Sequence, residues 1–286
     1  MEDEQPRSGR QERGEKRTQS SAKKVTTKSL ARMKARGEPI AALTAYDYLM
    51  AELLDQAGID VILVGDSVST VVQGRFTTVS VTMEHMLYHA ALVARGVDRA
   101  LVVGDLPFMS YQVSEDEALR NAARMVKEAL VEAVKLEGGE VICPTVRRMV
   151  EIGIPVMGHL GLTPQSIHKF GTYQVRATDP EEADQLRRDA LALQDAGVCA
   201  IVIEKVPAEL ATEIAGELEV PIIGIGAGSG CDGQILVSHD MLGIYTQFKP
   251  RFVRRYAELA ESMKSAFQHY VGDVKAKEFP SDGECY

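Results

Sequence analysis

Apolar runs of four or five residues recur along the chain, and each stops at a polar or charged residue. Val61-Ile-Leu-Val64 leads into Gly65, Asp66 and Ser67, and Leu101-Val-Val-Gly104 leads into Asp105. Ala133-Val-Lys-Leu-Glu137 varies the pattern, and Ala200-Ile-Val-Ile-Glu204 repeats it with a glutamate. Runs of this kind suit strands buried on both faces, as in a parallel sheet. In a parallel α/β protein all carboxyl ends lie on one side, so the acids that close these runs are expected to converge.

The stretches between the runs carry helix signals. A short amphipathic helix with Leu30 and Met33 on one face, closed by Gly37, precedes a first strand at 39–44. Tyr46 and Asp47 follow that strand, then a helix to Gln56 with Gly58 as C-cap. The remaining strands are predicted at 61–64, 100–104, 132–136, 155–159, 198–203, 221–225 and 234–237. Helices are predicted at 82–95, 141–152 and 207–217, and from the capping box Ser114-Glu-Asp-Glu117 to 131. Another opens at Asp179-Pro180 and runs to 196 before Gly197, and a last one spans 250–272. Segments 66–81 and 160–178 read as long loops.

Eight strands alternating with helices match a closed (β/α)₈ barrel of the α/β class, with an N-terminal helix and a C-terminal helical extension. An open doubly wound sheet is the competitor. Its glycine-rich turn belongs after the first strand. Here Gly226-Ala-Gly-Ser-Gly230 follows the seventh and lacks Gly-x-Gly-x-x-Gly spacing. On residues alone that segment is either a phosphate cradle or a tight turn with close backbone approach.

Composition narrows the function class. The chain has 286 residues, 45% of them hydrophobic, and a formal net charge of −9, which argues against a general nucleic-acid partner. No apolar run approaches the roughly 20 residues that span a bilayer, so no membrane is expected. The charged N-terminus gives no signal peptide, and a cytoplasmic protein is expected. Cys143, Cys199, Cys231 and Cys285 form no Cys-x-x-Cys pair and read as reduced thiols. Residues 1–24, nearly devoid of apolar side chains, are expected to be a disordered tail, with the catalytic barrel over 25–286.

The strand ends, taken in order, offer Tyr46 and Asp47, Asp66 and Ser67, Asp105, Lys135 and Glu137, His159, then Glu204. Several acids on one rim repel each other, and a divalent cation resolves that repulsion. Carboxylates without a thiol or a histidine pair suit Mg²⁺, which keeps water and binds through one or two acids plus substrate. Asp66 and Asp105 are the best direct ligands, since both follow Gly at the end of a Val-rich run. Glu137 binds directly or through water. Lys135 shares a strand face with Glu137, as an ion-pair partner or as a binder of an anionic substrate group. An acid after a strand can equally be a helix N-cap, His159 a core histidine, and Glu204 a partner of Lys205.

Several strings carry a resemblance. They are Leu43-Thr-Ala-Tyr-Asp47, Leu63-Val-Gly-Asp-Ser67, Asp105-Leu-Pro-Phe108 and Val134-Lys-Leu-Glu-Gly-Gly139. Gly158-His-Leu-Gly-Leu-Thr-Pro-Gln-Ser166, Ile223-Gly-Ile-Gly-Ala-Gly228 and Cys231-Asp-Gly-Gln234 complete the set. In this order, over residues 26–280, the chain resembles the ketopantoate hydroxymethyltransferase family. The resemblance implies a barrel of the phosphoenolpyruvate/pyruvate-binding type with one Mg²⁺ per subunit. It implies transfer of the one-carbon unit of 5,10-methylenetetrahydrofolate to C3 of 2-oxoisovalerate, giving ketopantoate for pantothenate and coenzyme A. Carried over by position, Asp66, Asp105 and Glu137 match the family's metal residues. Asp66, Ser67, Asp105 and Lys135 match its oxoacid contacts, Glu204 its proton acceptor, and His159 an active-site histidine. A homo-oligomer, a ring-based decamer, is implied as well.

The sequence departs from its relatives at Ser69, where a small residue, often Gly, is common, and at Thr172, Arg176 and Ala177, where glycines and Gln are usual. Fewer glycines should stiffen that loop. A carbon–carbon lyase on the same barrel is the nearest rival. Such lyases carry a Cys-bearing loop, and none of the four cysteines falls in 66–81, 105–113 or 160–178. A non-catalytic barrel is disfavoured because Asp66, Asp105, Lys135 and Glu137 are all present.

Overall fold

Each apolar run forms a strand, because a continuous Val, Ile and Leu sequence can bury both of its faces. The computed structural model describes residues 23–286. Residues 1–22 of the expected tail lie outside the described residues. Lys24, just beyond them, is anchored by a 2.7 Å bond to the Ala100 carbonyl and a 2.6 Å ion pair with Glu132.

The strands are β1 (Ile40–Thr44), β2 (Val61–Val64), β3 (Leu101–Asp105), β4 (Ala133–Glu137), β5 (Val156–Gly161), β6 (Ala200–Glu204), β7 (Ile222–Ile225) and β8 (Gly233–Leu236). They close into one parallel barrel in sequence order, with β8 returning to pair β1. The helices α1 (Thr27–Ala35), α2 (Tyr48–Gln56), α4 (Met83–Gly96), α5 (Glu115–Glu128), α6 (Cys143–Glu151), α8 (Pro180–Asp195) and α9 (Ala208–Glu217) lie near their predicted spans. Their starts follow the capping chemistry. Asp47, Thr82, Ser114 and Asp179 each accept a backbone N–H of the first turn.

Side-chain alternation along the strands divides the core in two. Positions such as Ile40, Val61, Leu63, Leu101, Val103 and Val202 fill the barrel interior. Their neighbours Ile62, Val64, Val102, Leu136, Ile201 and Ile203 face outward and pack with helix residues such as Met86, Met125, Met149 and Ile214. Leu30 and Met33 of α1 join the interior cluster and stop the amino-terminal mouth.

Three expectations are corrected. The loop at 66–81 contains a one-turn helix, α3 (Val68–Val71), and the loop at 160–178 contains a 3-10 turn (Pro164–Ser166) followed by α7 (Ile167–Phe170). The last helix, α11 (Leu259–Ala276), begins nine residues later than 250. After the short α10 (Ser238–Met241), the N–H groups of Tyr256 and Leu259 donate to the carbonyls of Met241 and Leu242, so this stretch spends its donors on a tertiary contact. In the glycine-rich turn, close approach is the visible reason for glycine. A Cβ at Gly228 would lie 2.4 Å from that of Ala208, and one at Gly230 would lie 2.0 Å from Thr212 Oγ1. Among the described residues no helix is long and apolar enough to cross a membrane.

Candidate active site

The interior parity of the strands carries on past the apolar layer and turns polar at the carboxyl mouth. Leu101 and Val103 are followed on the same face by Asp105, Ala133 by Lys135 and Glu137, Met157 by His159, and Ala200 and Val202 by Glu204. Strand register then sets these residues side by side. Asp105 is the partner of Lys135, and Glu137 is the partner of His159. Asp105 Oδ1 lies 2.5 Å from Lys135 Nζ, and Glu137 Oε1 lies 3.3 Å from His159 Nδ1. On the far side of the imidazole, Nε2 stands 3.4 Å from Glu204 Oε2, an ion-pair distance without hydrogen-bond geometry. One chain of charges thus crosses β3, β4, β5 and β6.

Asp66, just beyond β2, completes the group. Its backbone N–H donates to Asp105 Oδ2 at 3.0 Å. The preceding Gly65 leaves room for the Ser67 hydroxyl, since a Cβ there would lie 2.9 Å from Ser67 Oγ. Ser67 opens α3, and its hydroxyl shares a 2.7 Å hydrogen bond with the Tyr46 hydroxyl rather than with an acid. All seven predicted site residues therefore lie at one mouth of the barrel. Asp47 does not join them, because its carboxylate caps α2.

Electrostatics follow from burial and proximity. Asp66 is held well above the ordinary carboxylate range by burial and by the charges of Asp105 and Glu137. Burial also raises Asp105, opposed by Lys135. Lys135 resists the burial that would lower it, because Asp105, Glu137 and Asp66 surround it, and its pKa rises. For Glu137 burial works upward but is outweighed by His159 and Lys135, so it stays below its usual value. His159 is raised to about 9: burial and Lys135 push it down, and Glu137 and Glu204 push it further up. The imidazole Nδ1 stands at ion-pair distance from Glu137 Oε1 without hydrogen-bond geometry, and its hydrogen-bond contact, at 3.4 Å, is with Lys135 Nζ. Among the acids, Glu204 is the one with solvent access, its side chain being 15% exposed against 3% for Asp105 and Glu137.

Sequence reasoning missed two members, Gln165 and Tyr111. Gln165 Nε2 donates to Asp66 Oδ2 and to the Leu106 carbonyl, both at 3.0 Å. Its backbone N–H donates to Glu137 Oε2 at 3.0 Å. The Tyr111 hydroxyl donates to Gln165 Oε1 at 2.8 Å and accepts the Glu137 N–H at 3.1 Å. Both residues sit in loops, where no periodicity marks a side chain as inward. The remaining signal was an amide directly after Pro164 inside a run already singled out.

The donor set fits a hard divalent cation. Asp105 Oδ1 and Glu137 Oε1 are buried, make no geometrically formed hydrogen bond and are held only by their ion-pair contacts with Lys135 and His159, and the other oxygen of each acid is fixed by a backbone N–H. Among the described residues no trio of His, Cys, Asp and Glu is gathered tightly enough to cage an ion unaided. Buried acids with one oxygen outside any hydrogen bond suit an ion bound through one or two of them, with water and substrate supplying the rest.

The departing loop is tied down on several sides. Arg176 lies over the Phe170 ring at 4.2 Å and pairs with Glu182, whose other oxygen accepts the Ala177 N–H at 2.7 Å. Lys205 Nζ donates to the Tyr173 carbonyl. Ala177 keeps a left-handed φ of 53°, the conformation that favours glycine.

Comparison with known proteins adds the family. The profile of the family described as "Ketopantoate hydroxymethyltransferase" matches residues 24–282. The "3-methyl-2-oxobutanoate hydroxymethyltransferase" of Salinibacter ruber is 59% identical over 263 residues, covering 92% of this chain and 99% of that protein. The protein of the same name from Christiangramia forsetii is 58% identical, covering 92% and 97%. Among solved structures, a phosphoenolpyruvate phosphomutase from Streptomyces platensis subsp. rosaceus superposes with a TM-score of 0.60 at 15% identity, covering 88% of each chain. A 2,3-dimethylmalate lyase gives 0.57 at 17%, covering 90% of each chain. At such identities these two likenesses concern the fold alone.

Proposed function

The chain belongs to the ketopantoate hydroxymethyltransferase family and is a hydroxymethyltransferase enzyme; on that premise we propose its substrates and the roles of its residues. The acceptor is 3-methyl-2-oxobutanoate, and the one-carbon donor is 5,10-methylenetetrahydrofolate. With water as third reactant, the products are ketopantoate and tetrahydrofolate. The acceptor's C3 carries a single hydrogen, which must leave as a proton before the new carbon–carbon bond forms.

The observation that carries this reading is the line of charges from Asp105 to Glu204 across four neighbouring strands. Glu204, at the accessible end, is the base that takes the C3 proton or serves the folate amine. His159, cationic beside it, steadies the carboxylate it faces and connects it to Glu137. Lys135 and Ser67 bind the oxoacid's carboxylate and the oxyanion that develops as the proton leaves. Asp66 and Asp105 would hold Mg²⁺ directly, with Glu137 beside them. When bound, the cation supplies Lewis acidity toward the oxoacid's carboxylate and ketone oxygens. Deep burial of Lys135, Asp105 and Glu137 keeps water from weakening these contacts.

Assembly with further copies, the ring-based decamer of the family resemblance, is supported by α11. That helix buries none of its residues, and Met263, Phe267, Tyr270, Val271 and Val274 stand exposed along it.

The test is to incubate the protein with 3-methyl-2-oxobutanoate, 5,10-methylenetetrahydrofolate and Mg²⁺ and to assay ketopantoate. Formation of ketopantoate, reduced roughly 10²–10⁴-fold in Glu204→Gln as for loss of a general base, is the expected result. No product with Mg²⁺ present, while a 2-oxoacid lyase substrate is cleaved, would sink the reading.

A further inference from the structure

We infer that Gln165, oriented by Tyr111, is the positioning residue that sets how Asp66 and Glu137 present their oxygens to a cation. The inference rests on the metal reading proposed above. Its basis is the hydrogen-bond inventory of one buried amide. Gln165 is 4% exposed, so each of its polar atoms needs a partner inside the protein. Both Nε2 hydrogens are used, one on Asp66 Oδ2 and one on the Leu106 carbonyl. Oε1 accepts from the Tyr111 hydroxyl at 2.8 Å and, at 3.4 Å, from Gln112 Nε2.

This inventory fixes which way the amide faces. Turned over, the amide oxygen would meet the Leu106 carbonyl, an acceptor with nothing to donate. Tyr111 holds the correct orientation from behind. Its hydroxyl is itself fixed, because it accepts the N–H of Glu137. The loop after β3 and the loop after β5 therefore lock each other, and the lock ends on two acids.

The consequence for the acids is directional. A carboxylate with one oxygen on a rigid donor can present the other along one line only. Gln165 does this to Asp66 with its side chain and to Glu137 with its backbone N–H at Glu137 Oε2. Glu137 Oε1 is then left without a hydrogen-bond partner. A neutral amide can do this without adding charge to a cluster that already holds three acids. Partners of this kind around a metal site typically influence affinity by roughly 10–100-fold.

Gln165→Met keeps the length of the side chain and removes both donors and the acceptor, while the backbone bond to Glu137 remains. Tyr111→Phe removes only the hydroxyl. Mn²⁺ binding, followed by the electron paramagnetic resonance signal of free Mn²⁺, is measured on the wild type, both variants and the double variant. Thermal melts in EDTA check that each is folded. The expected result is a wild type that binds Mn²⁺, with Gln165→Met weaker by about 10–100-fold. Tyr111→Phe should be weaker by about 2–12-fold, the scale of one neutral hydrogen bond. The double variant should be no more than about twofold weaker than Gln165→Met, because the two residues act through one bond. Gln165→Met binding within about twofold of a Mn²⁺-binding wild type overturns the inference and leaves the metal reading standing. A wild type that takes no Mn²⁺ overturns both. Should Gln165→Met fail to fold, Tyr111→Phe decides alone: unchanged affinity overturns the inference and a loss supports it.

Discussion

The two mouths of the barrel are built from the same strands and differ in what the inward positions carry. At the amino-terminal mouth Ile40, Val61 and Leu101 point inward, and Leu30 and Met33 of α1 close the opening. At the carboxyl mouth the same parity delivers Asp105, Lys135, Glu137, His159 and Glu204. Burying an aliphatic side chain contributes about 1.5–3 kcal/mol. A buried ion pair roughly breaks even, or costs stability, against an apolar pair of similar volume. The amino-terminal mouth therefore stabilises the barrel, and the carboxyl mouth holds the groups that chemistry needs. Changes at the two mouths should separate, activity being lost at one and stability at the other.

The largest effect is expected from Asp105→Ala. It removes an oxygen from the proposed cation site and leaves Lys135 buried without its 2.5 Å partner. Metal-dependent exchange of the C3 proton of 3-methyl-2-oxobutanoate, followed by NMR in D₂O, should vanish. Breaking a buried pair from one side also costs about 3–5 kcal/mol, so the unfolding midpoint should fall as well. Undiminished exchange would remove Asp105 from the site.

The reverse pattern is expected at the other mouth. Leu30 is fully buried, and Leu30→Ala should cost about 2–5 kcal/mol through lost burial and a residual cavity. At a temperature where the variant is folded, kcat should stay within about twofold of wild type, because no interaction made in the transition state has been removed. A kcat loss much larger than that, with unchanged stability, would dissolve the distinction between the mouths.

The asymmetry is partly legible in the sequence. Short apolar runs ending in acids, with Gly or Pro at the boundaries, mark the strands, and alternation alone places Lys135 and Glu137 on one face. The resemblance supplied roles that spacing cannot, such as that of Glu204. The parts that escaped share a physical feature: they depend on contacts between distant segments. α3 is one turn long, too short for a helical period, and Ser69 Oγ ties it to the Thr77 carbonyl at 2.6 Å. Gln165 and Tyr111 are 54 positions apart, and neither lies on a strand whose alternation would orient it. The stretch from 250 to 258 is not helical: the Val253 N–H turns back to the Pro250 carbonyl and the Tyr256 N–H is spent on the Met241 carbonyl.

The smallest effect concerns an acid at the chemical mouth that lies outside the charge line. Asp240, in α10 beyond β8, is pushed up to about 6 by burial, with Arg255 pulling the other way. Its folded pKa exceeds the unfolded value near 3.9. The stability linked to its protonated form is therefore fully present below the unfolded value and is lost as pH rises through about 6. Asp240→Asn cannot titrate. Relative to wild type, its melting temperature should rise steadily between pH 4 and pH 7 and then level off. Differential scanning calorimetry of the two proteins across that window reads the difference directly. A constant difference would mean that Asp240 titrates alike folded and unfolded. A variant gaining stability at neutral pH without losing ketopantoate formation would show that the Asp240 charge is not needed at this mouth.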